Sequence, residues 1–373
     1  MSDRSLPPRR PRSAPSGRQA SRPRDSSPQR PRKKSNSQVG WWILGLSGGG
    51  LVLCILCCGG LMLAAYQQVE AEARLRQEQA AKVAERTGSL RAAVAAHAST
   101  LGPPQPSAGP PPEPPPGSEF ALVSYPAPVG ELPAYLTAEV ADGTIDPGEK
   151  RPAIVWITGG DSNTIGPVWG PQERENDQAA SALRDAGIVM MFPSLRGGNA
   201  NPGQREGFLG EVEDILAAAE YLARQPGIDA DRIYLGGHST GGTLAALVTE
   251  RSDRFRATFA FGPVADIRDY GGSYIYHVPQ DAADEAIVRS PGYWLNDVRT
   301  PLFLIEGELG NASSITELAE ATDNPLVHTF IVPGADHFDV LAPANEAIAQ
   351  EIVADDGPTC EIALSVDALA EGR

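Results

Sequence analysis

Cysteine is scarce in this chain of 373 residues, which has four. Three of them (Cys54, Cys57 and Cys58) fall in one apolar run, and only Cys360 lies in the polar remainder. A single cysteine cannot close an internal bridge, so no disulfide framework is predicted. The His, Cys, Asp and Glu residues show no metal-ligand spacing, and neither a metal nor another cofactor is expected.

Positive charge is scarce in most of the chain. Residues 103–373 carry fifteen Lys and Arg against 41 Asp and Glu, a formal charge of −26. Such an acidic body repels phosphate, so no nucleic-acid partner is expected. Residues 1–39 are the opposite, with eleven basic residues and two acidic ones. This stretch is rich in Arg, Pro and Ser and has little to bury, which predicts a disordered basic tail.

Charged residues are missing altogether between Trp41 and Tyr66. A bilayer-spanning helix needs about 20 apolar residues, and the rings of Trp41, Trp42 and Tyr66 favour the two membrane interfaces. We therefore predict a transmembrane helix at 40–66, in contact with the lipid bilayer through residues 41–66. The preceding basic tail predicts a single pass with a cytoplasmic N-terminus and an extracytoplasmic catalytic domain. A cleaved signal peptide, the competing interpretation, has a shorter charged region and a shorter apolar core.

Two connecting segments follow the apolar run. Residues 67–102 are rich in Ala, Glu, Gln and Arg, a composition typical of helices. Their apolar positions form a loose stripe rather than heptads, which predicts a helical stalk with scope for a homo-oligomer. Residues 103–118 are dominated by proline and predict a semi-rigid extended linker.

From residue 119 the pattern changes to apolar strands alternating with helices. The predicted strands are Phe120–Tyr125, Pro133–Val140, Ala153–Ile157, Ile188–Phe192, Ile233–Leu235, Ala257–Phe261, Leu302–Ile305 and Val327–Val332. The predicted helices include Asn176–Ala186, Glu211–Arg224 and Ala344–Ala354. This alternation predicts an α/β domain at 119–357, with a mostly parallel sheet covered by helices on both faces. Residues 358–373 form a C-terminal tail.

The run Gly237-His238-Ser239-Thr240-Gly241 lies between an apolar strand and an Ala/Leu-rich helical run. A strand, a sharp turn and a helix with serine at the tip are typical of a nucleophile elbow. The two glycines leave room for the turn to close. The helix beginning at the serine presents unpaired N–H groups that stabilise developing negative charge. The pattern predicts Ser239 as a nucleophile.

A serine needs an adjacent base, and His337 directly follows the predicted strand Val327–Val332. The other histidines of this part of the chain fit less well, because His238 lies in the elbow, His277 in an aromatic loop and His328 within a strand.

An oxyanion hole needs two preorganised N–H donors. Thr240, directly after the nucleophile, is predicted to supply one. Gly160, in the turn after the strand Ala153–Ile157, is predicted to supply the other, because a residue without a side chain lets a substrate carbonyl approach the backbone.

These segments resemble the α/β-hydrolase domain of the prolyl oligopeptidase and dienelactone-hydrolase-like serine hydrolases. The matching segments run in family order: 192–198, 210–215, 237–242, 290–291, 300–302 and 333–337. The resemblance covers residues 120–353 and the catalytic domain only, with nothing that could form a β-propeller. It implies an α/β-hydrolase fold and a Ser-His-acid triad.

The acid of this triad departs from the family pattern. The resemblance implies an aspartate in His-Gly-x-x-Asp, and that position falls on Gly310 here. Glu308 is the first choice for the acid, followed by Glu306 at the strand end and then by Asp266 after the strand Ala257–Phe261, since the role demands a buried acceptor for the histidine N–H.

Together these features predict a membrane-anchored serine hydrolase that cleaves an ester or a peptide/amide bond through an acyl-enzyme. The expected substrate is a small molecule or a peptide. The alternative, suggested by Gly310, is a catalytically weak or inactive hydrolase fold that binds or scaffolds at the membrane.

Overall fold

The computed structural model describes residues 62–63, 67, 70–71, 73–101, 109–117, 119–170, 172–271 and 278–372. The chain forms two compact units, Met1–Gln68 and Val69–Arg373. In the first unit Met62, Leu63 and Gln67 are described, and all three are helical. The tail predicted at 1–39 and the transmembrane helix predicted at 40–66 lie outside the described residues, apart from Met62 and Leu63. None of the helices within the described ranges is both long and apolar enough to cross a bilayer.

A single sheet organises the second unit. The strands in its described residues are β1 (Phe120–Ala127), β2 (Gly130–Thr137), β3 (Arg151–Ile157), β4 (Val189–Pro193), β5 (Ile228–His238), β6 (Thr258–Phe261), β7 (Leu302–Gly307) and β8 (Val327–Val332). Their order is β1-β2-β4-β3-β5-β6-β7-β8. The pairs β1–β2 and β2–β4 are antiparallel, and every pair from β4 to β8 is parallel. The predicted mostly parallel sheet is confirmed.

Helices cover both faces of this sheet. They are α1 (residues 73–87), α2 (Leu90–Ala96), α3 (Ala138–Ala141), α4 (Ser181–Asp185), α5 (Glu211–Ala223), α6 (Thr240–Arg251), α7 (Ala283–Ile287), α8 (Ala312–Glu320), α9 (Leu341–Ala354) and α10 (Val366–Ala370). In β5, Ile233 and Leu235 face a core shared with α5 and α6, whereas Tyr234 between them faces a second core shared with α4 and α9. Alternate side chains of a strand point to opposite faces, so these strands are apolar throughout.

Two predicted elements have different bounds in the structure: the strand is shifted toward the N-terminus, from Gly130 to Thr137, and the helix is shorter. The strand predicted at Pro133–Val140 ends at Thr137, and a single helical turn follows. The helix predicted at Asn176–Ala186 is α-helical only over Ser181–Asp185, while Asn176 ends a separate 3₁₀ turn at Arg174–Asn176. The Asp177 side chain accepts hydrogen bonds from the Ser181 backbone and hydroxyl, and such local bonds compete with helix formation.

The segment predicted to be a stalk packs against the hydrolase domain. Leu90 and Ala93 are buried in the core cluster that includes α6. The Leu90 N–H donates to Asp297 (2.6 Å), and Arg91 donates to the Arg251 carbonyl. The linker also touches the domain, since Tyr135 donates to the Glu113 carbonyl at 2.8 Å. Several apolar positions of the segment therefore pack within the chain itself, whereas Leu75 is exposed.

The parallel strands set the location of the site. Because β3, β5, β6, β7 and β8 run in one direction, the loops that follow them meet at the same edge of the sheet. Those loops carry the residues singled out in the sequence.

Candidate active site

The backbone at Ser239 has the conformation of a nucleophile elbow. Its φ of 56° and ψ of −117° are strained for a residue with a side chain. A Cβ on Gly237 would lie 2.5 Å from the Gly241 carbonyl oxygen, and one on Gly241 would overlap the Ile157 carbonyl oxygen. Both positions therefore require glycine. Ser239 is partly exposed although both its neighbours are buried, so the turn presents its hydroxyl to solvent.

Thr240 and Gly160 lie side by side. The Thr240 hydroxyl donates to the Gly160 carbonyl at 3.0 Å, which ties the elbow to the turn after β3. Gly160 has a φ of 78°, in the region that favours glycine. The two residues predicted for the oxyanion hole are thus neighbours beside Ser239.

A buried arginine holds the turn that contains Gly160. Arg205 forms hydrogen bonds through two guanidinium nitrogens to the Asp161 carboxylate, one of them 2.6 Å long. It also donates to the Gly197 carbonyl at 3.2 Å. A two-pronged pair of this kind fixes orientation as well as distance. No local sequence pattern marks Arg205, because its role depends on a contact across the fold.

His337 lies in the loop after β8, hydrogen-bonded to a carboxylate at the end of β7. Its Nδ1 is 2.7 Å from Oε2 of Glu306, whose side chain is fully buried. A carboxylate only accepts, so Nδ1 carries the proton and Nε2 is left as an acceptor. The other oxygen of Glu306 accepts from the Gly307 N–H at 2.7 Å. The carboxylate is therefore held from both sides.

Of the three candidate acids, the second choice, Glu306, contacts His337, and the first choice, Glu308, does not. Glu308 is exposed, and its Oε2 accepts from the Gly334 N–H at 2.8 Å. Alternation along a strand would place Glu306 and Glu308 on the same face, but β7 ends at Gly307, so only Glu306 is held by the strand, and it faces His337. The sequence did contain a signal that favours Glu306. It is a charged residue near the end of an otherwise apolar strand, and a buried charge needs a partner.

Asp266, the third candidate, belongs to a different cluster. It accepts hydrogen bonds from Arg268 (2.8 Å from Nε) and from Tyr293. Burial alone would raise its pKa, but these hydrogen bonds lower the pKa of Asp266 below its ordinary value. Its carboxylate is engaged in this ion pair and not with His337.

Gly310 occupies the position that the family pattern gives to aspartate, and the structure leaves little room there for a side chain. A Cβ at Gly310 would lie 2.6 Å from Oε1 of Glu306 and 2.9 Å from the His337 backbone nitrogen. A Cβ at Gly262, after β6, would likewise lie 2.7 Å from Oε2 of Glu306. The Glu306 side chain therefore occupies the space that a side chain at 310 would need.

Ser239 and His337 border the same strand end. The Ser239 N–H donates to the Phe261 carbonyl at 2.7 Å, and the His337 ring lies against the next residue, Gly262. Within the described part of the chain, no hydrogen bond joins the Ser239 hydroxyl to the ring. Catalytic hydrogen bonds of this kind often tighten only when substrate binds.

His328 and Trp294 contribute to the packing of the domain. His328 stacks on Phe303 with ring centroids 5.0 Å apart, and His277 lies outside the described residues. Trp294 is buried and donates to the Ile287 carbonyl at 2.7 Å, so it belongs to the core. Among the described residues, no group of three or more His, Cys, Asp or Glu could hold a metal ion.

Known proteins share this domain. Residues 175–350 match the Prolyl oligopeptidase family. Dipeptidyl-peptidase 5 of Porphyromonas gingivalis is 25% identical over 236 residues, which cover 56% of this chain and 34% of that protein. An uncharacterised peptidase of Bacillus subtilis, YtmA, is 30% identical over 141 residues, which cover 35% of this chain and 54% of that protein.

A solved structure shows the same fold. Pyrococcus horikoshii acylaminoacyl peptidase, in its orthorhombic crystal form, has a TM-score of 0.52 and 18% identity over 67% of this chain and 44% of that one. The predicted resemblance to the α/β-hydrolase domain of prolyl oligopeptidase-type serine peptidases is confirmed. The chain spans about a third and about half the length of the two curated relatives above.

Proposed function

We propose that this chain, whose residues 175–350 match the Prolyl oligopeptidase family, is a serine hydrolase that cleaves a peptide/amide or ester bond. One observation carries the proposal: the strained Ser239 elbow and the His337–Glu306 pair border the same strand end, β6. The two relatives with peptidase names favour a peptide substrate over an ester.

The mechanism follows from the hydrogen bonds of the site. Ser239 Oγ attacks the substrate carbonyl carbon while Nε2 of His337 takes the hydroxyl proton. The imidazolium that forms is stabilised by Glu306, which already accepts the Nδ1 proton at 2.7 Å. His337 then gives the proton from Nε2 to the leaving amine or alcohol, and an acyl-enzyme remains. Water, deprotonated by the same histidine, releases the acid product and restores Ser239.

Negative charge on the substrate oxygen needs donors in fixed positions. The backbone N–H groups of Thr240 and Gly160 would supply them, as the first residue of α6 and the turn after β3. The Thr240–Gly160 hydrogen bond and the Arg205–Asp161 pair hold these two backbones before substrate arrives. The support for this assignment is that hydrogen bonds tie both segments in place.

A fluorophosphonate probe tests the proposal, because it labels only an activated serine. Labelling of the wild type is expected to vanish in Ser239→Ala and to slow by about 10²-fold or more in His337→Ala. Ser313→Ala, in the exposed part of α8, is the matched control and should label like the wild type. A well-folded wild type that takes no label would favour the alternative, a hydrolase fold retained for binding.

The location of the domain is a separate proposal. The uncharged run Trp41–Tyr66 after a basic tail supports a single-pass anchor with the hydrolase domain on the extracytoplasmic side. Full-length chain expressed in cells should sediment with membranes after a carbonate wash. Protease added to intact cells should remove the domain while an N-terminal tag stays protected. Recovery in the soluble fraction, or protection of the domain, contradicts the anchor or its orientation.

A further inference from the structure

The residue before the nucleophile makes contacts that the proposed chemistry does not use. His238 is buried at the end of β5, with only 1% of its surface exposed. Its Nε2 lies 2.8 Å from the backbone carbonyl of His337. Its ring also packs on the His337 ring, with centroids 4.5 Å apart, and on Phe338 at 5.5 Å. Through His238, the elbow therefore contacts the loop that carries the proposed base, His337.

The opposite edge of the His238 ring is held by Gln178. The Gln178 Nε2 lies 2.9 Å from Nδ1 of His238 and also donates to Asn176 Oδ1 at 2.8 Å. Its Oε1 accepts from the Gly159 N–H at 3.2 Å. Gly159 directly precedes Gly160 in the turn after β3. One amide therefore contacts both the elbow and the proposed oxyanion turn.

The direction of these hydrogen bonds is determined by the protonation state of His238. Burial, followed by the nearby His337, lowers the pKa of His238 to about 3, so the ring is neutral at physiological pH. A neutral imidazole has one donor and one acceptor. The His337 carbonyl can only accept, so Nε2 is the donor and Nδ1 accepts from Gln178. A neutral His238 with Nε2 already engaged cannot act as a second base toward Ser239.

We infer that Gln178 and His238 form a positioning pair that fixes the relative positions of three loops. These loops are the turn with Gly159 and Gly160, the elbow with Ser239, and the loop with His337. The pair contacts backbone groups, the Asn176 side chain and the rings of His337 and Phe338, and it acts through the residues it positions. This inference rests on the proposed function, since the relative positions of the three loops matter only if all three contribute to one reaction. Reacting groups held within about 0.5 Å of their working geometry need such support.

Two substitutions at His238 separate its two hydrogen bonds. In His238→Gln the side-chain amide reaches about as far as Nε2 and keeps a donor for the His337 carbonyl. In His238→Asn the shorter amide reaches only as far as Nδ1 and loses that donor. Gln178→Leu removes the other end of the pair, and Gln225→Leu, whose amide donates to Tyr221 in α5, is the matched control.

We expect the loss in kcat of each variant to depend on which hydrogen bond that variant has lost. His238→Asn and Gln178→Leu should lower kcat by about 10- to 100-fold with KM changed less than about threefold, because small misplacements of reacting groups act on the chemical step. His238→Gln keeps the donor to the His337 carbonyl and loses only the acceptor for Gln178, so it should lose less kcat than His238→Asn, whereas Gln225→Leu should match the wild type. Equal kcat in His238→Asn and the wild type, or a change confined to KM, overturns the inference. Urea unfolding of each variant identifies any that fail to fold.

A second measurement does not depend on activity. In protein labelled with ¹⁵N-histidine, the His238 ring should show a protonated Nε2 and an unprotonated Nδ1 throughout pH 5 to 8. In Gln178→Leu this tautomer preference should weaken. Titration of His238 within that range, or the reverse tautomer in the wild type, contradicts the pair. If the wild type shows the expected tautomer but no turnover and no fluorophosphonate labelling, the proposed function has failed and not the geometry of the pair.

Discussion

His337 Nδ1 and Glu306 Oε2 lie 2.7 Å apart, with the carboxylate fully buried at the end of β7 and the imidazole partly open to solvent. In the family that this domain resembles, the sequence pattern has its carboxylate four residues later, at the position of Gly310. The glutamate side chain is longer than that of aspartate, so it reaches the same histidine from the strand itself rather than from the loop.

Glu306→Gln should impair the enzyme far more than Glu308→Gln. A glutamine amide can donate to Nδ1 and so favour the tautomer with the proton on Nε2, which cannot accept from Ser239. We expect kcat to fall by about 10²- to 10⁴-fold in Glu306→Gln, as in other triads that lose their acid. Glu308→Gln should stay close to the wild type, since that side chain is exposed and contacts Gly334. Steady-state kinetics on one substrate decides between them, and equal losses would count against Glu306.

The space at Gly310 predicts a rescue. Gly310→Asp alone should lower activity, because its Cβ would lie 2.6 Å from Glu306 Oε1. In a Glu306→Ala background the same aspartate enters space beside His337 that the glutamate has vacated, and only a small shift of the loop is needed to relieve the 2.9 Å approach of its Cβ to the His337 backbone nitrogen. The double variant should therefore exceed Glu306→Ala in kcat by about tenfold, a coupling that independent sites do not show. A double variant as slow as the product of the two single effects would refute the exchange.

Gly241→Ala should destabilise the fold as well as the site. Its methyl group would overlap the Ile157 carbonyl oxygen, so β3 and α6 must separate. Overpacking of this kind typically lowers the free energy of unfolding by about 1–3 kcal/mol. Gly166→Ala is the control, because a Cβ there meets nothing within 4 Å. Urea unfolding curves of the two variants measure the difference, and similar midpoints would contradict close packing at the elbow.

Glu285 should make the docking of residues 97–100 sensitive to acid. Burial raises its pKa, but hydrogen bonds from His97 and Thr100 and the charge of Arg289 together lower the pKa of Glu285 to about 2. The folded state therefore binds this proton less readily than the unfolded chain, whose value is about 4.5. The stabilisation is complete above pH 4.5 and is lost as the pH falls toward 2.

The variant Glu285→Gln tests this dependence. It should unfold at lower urea than the wild type at pH 7, and the gap between the two midpoints should begin to close below about pH 4.5 and disappear only as the pH approaches about 2. Glu149→Gln, at an exposed position, should track the wild type throughout. A gap that stays constant with pH would show that the charge of Glu285 contributes nothing.

Local sequence patterns predicted most of the helices and strands and the order of the motifs. Apolar runs marked the sheet strands, and Gly-x-Ser-x-Gly marked the elbow at Ser239, because both depend on residues adjacent in the chain. The helix predicted from Asn176 was mostly wrong, since Asp177 hydrogen-bonds the Ser181 backbone instead. The segment at 67–102 was predicted to be a helical stalk because its composition shows helix propensity, and composition does not reveal the domain surface that buries Leu90.

The sequence by itself determined the fold class, the elbow and the histidine after the last strand, since each follows from periodicity or from neighbours within a few positions. The tertiary structure alone decided that Glu306 rather than Glu308 meets His337, that Arg205 holds Asp161, and that Gln178 reaches His238 across 60 residues. The physical reason is that a side chain's partner depends on which loops the parallel strands bring to one edge. That convergence involves residues far apart in the chain, and no local pattern records it.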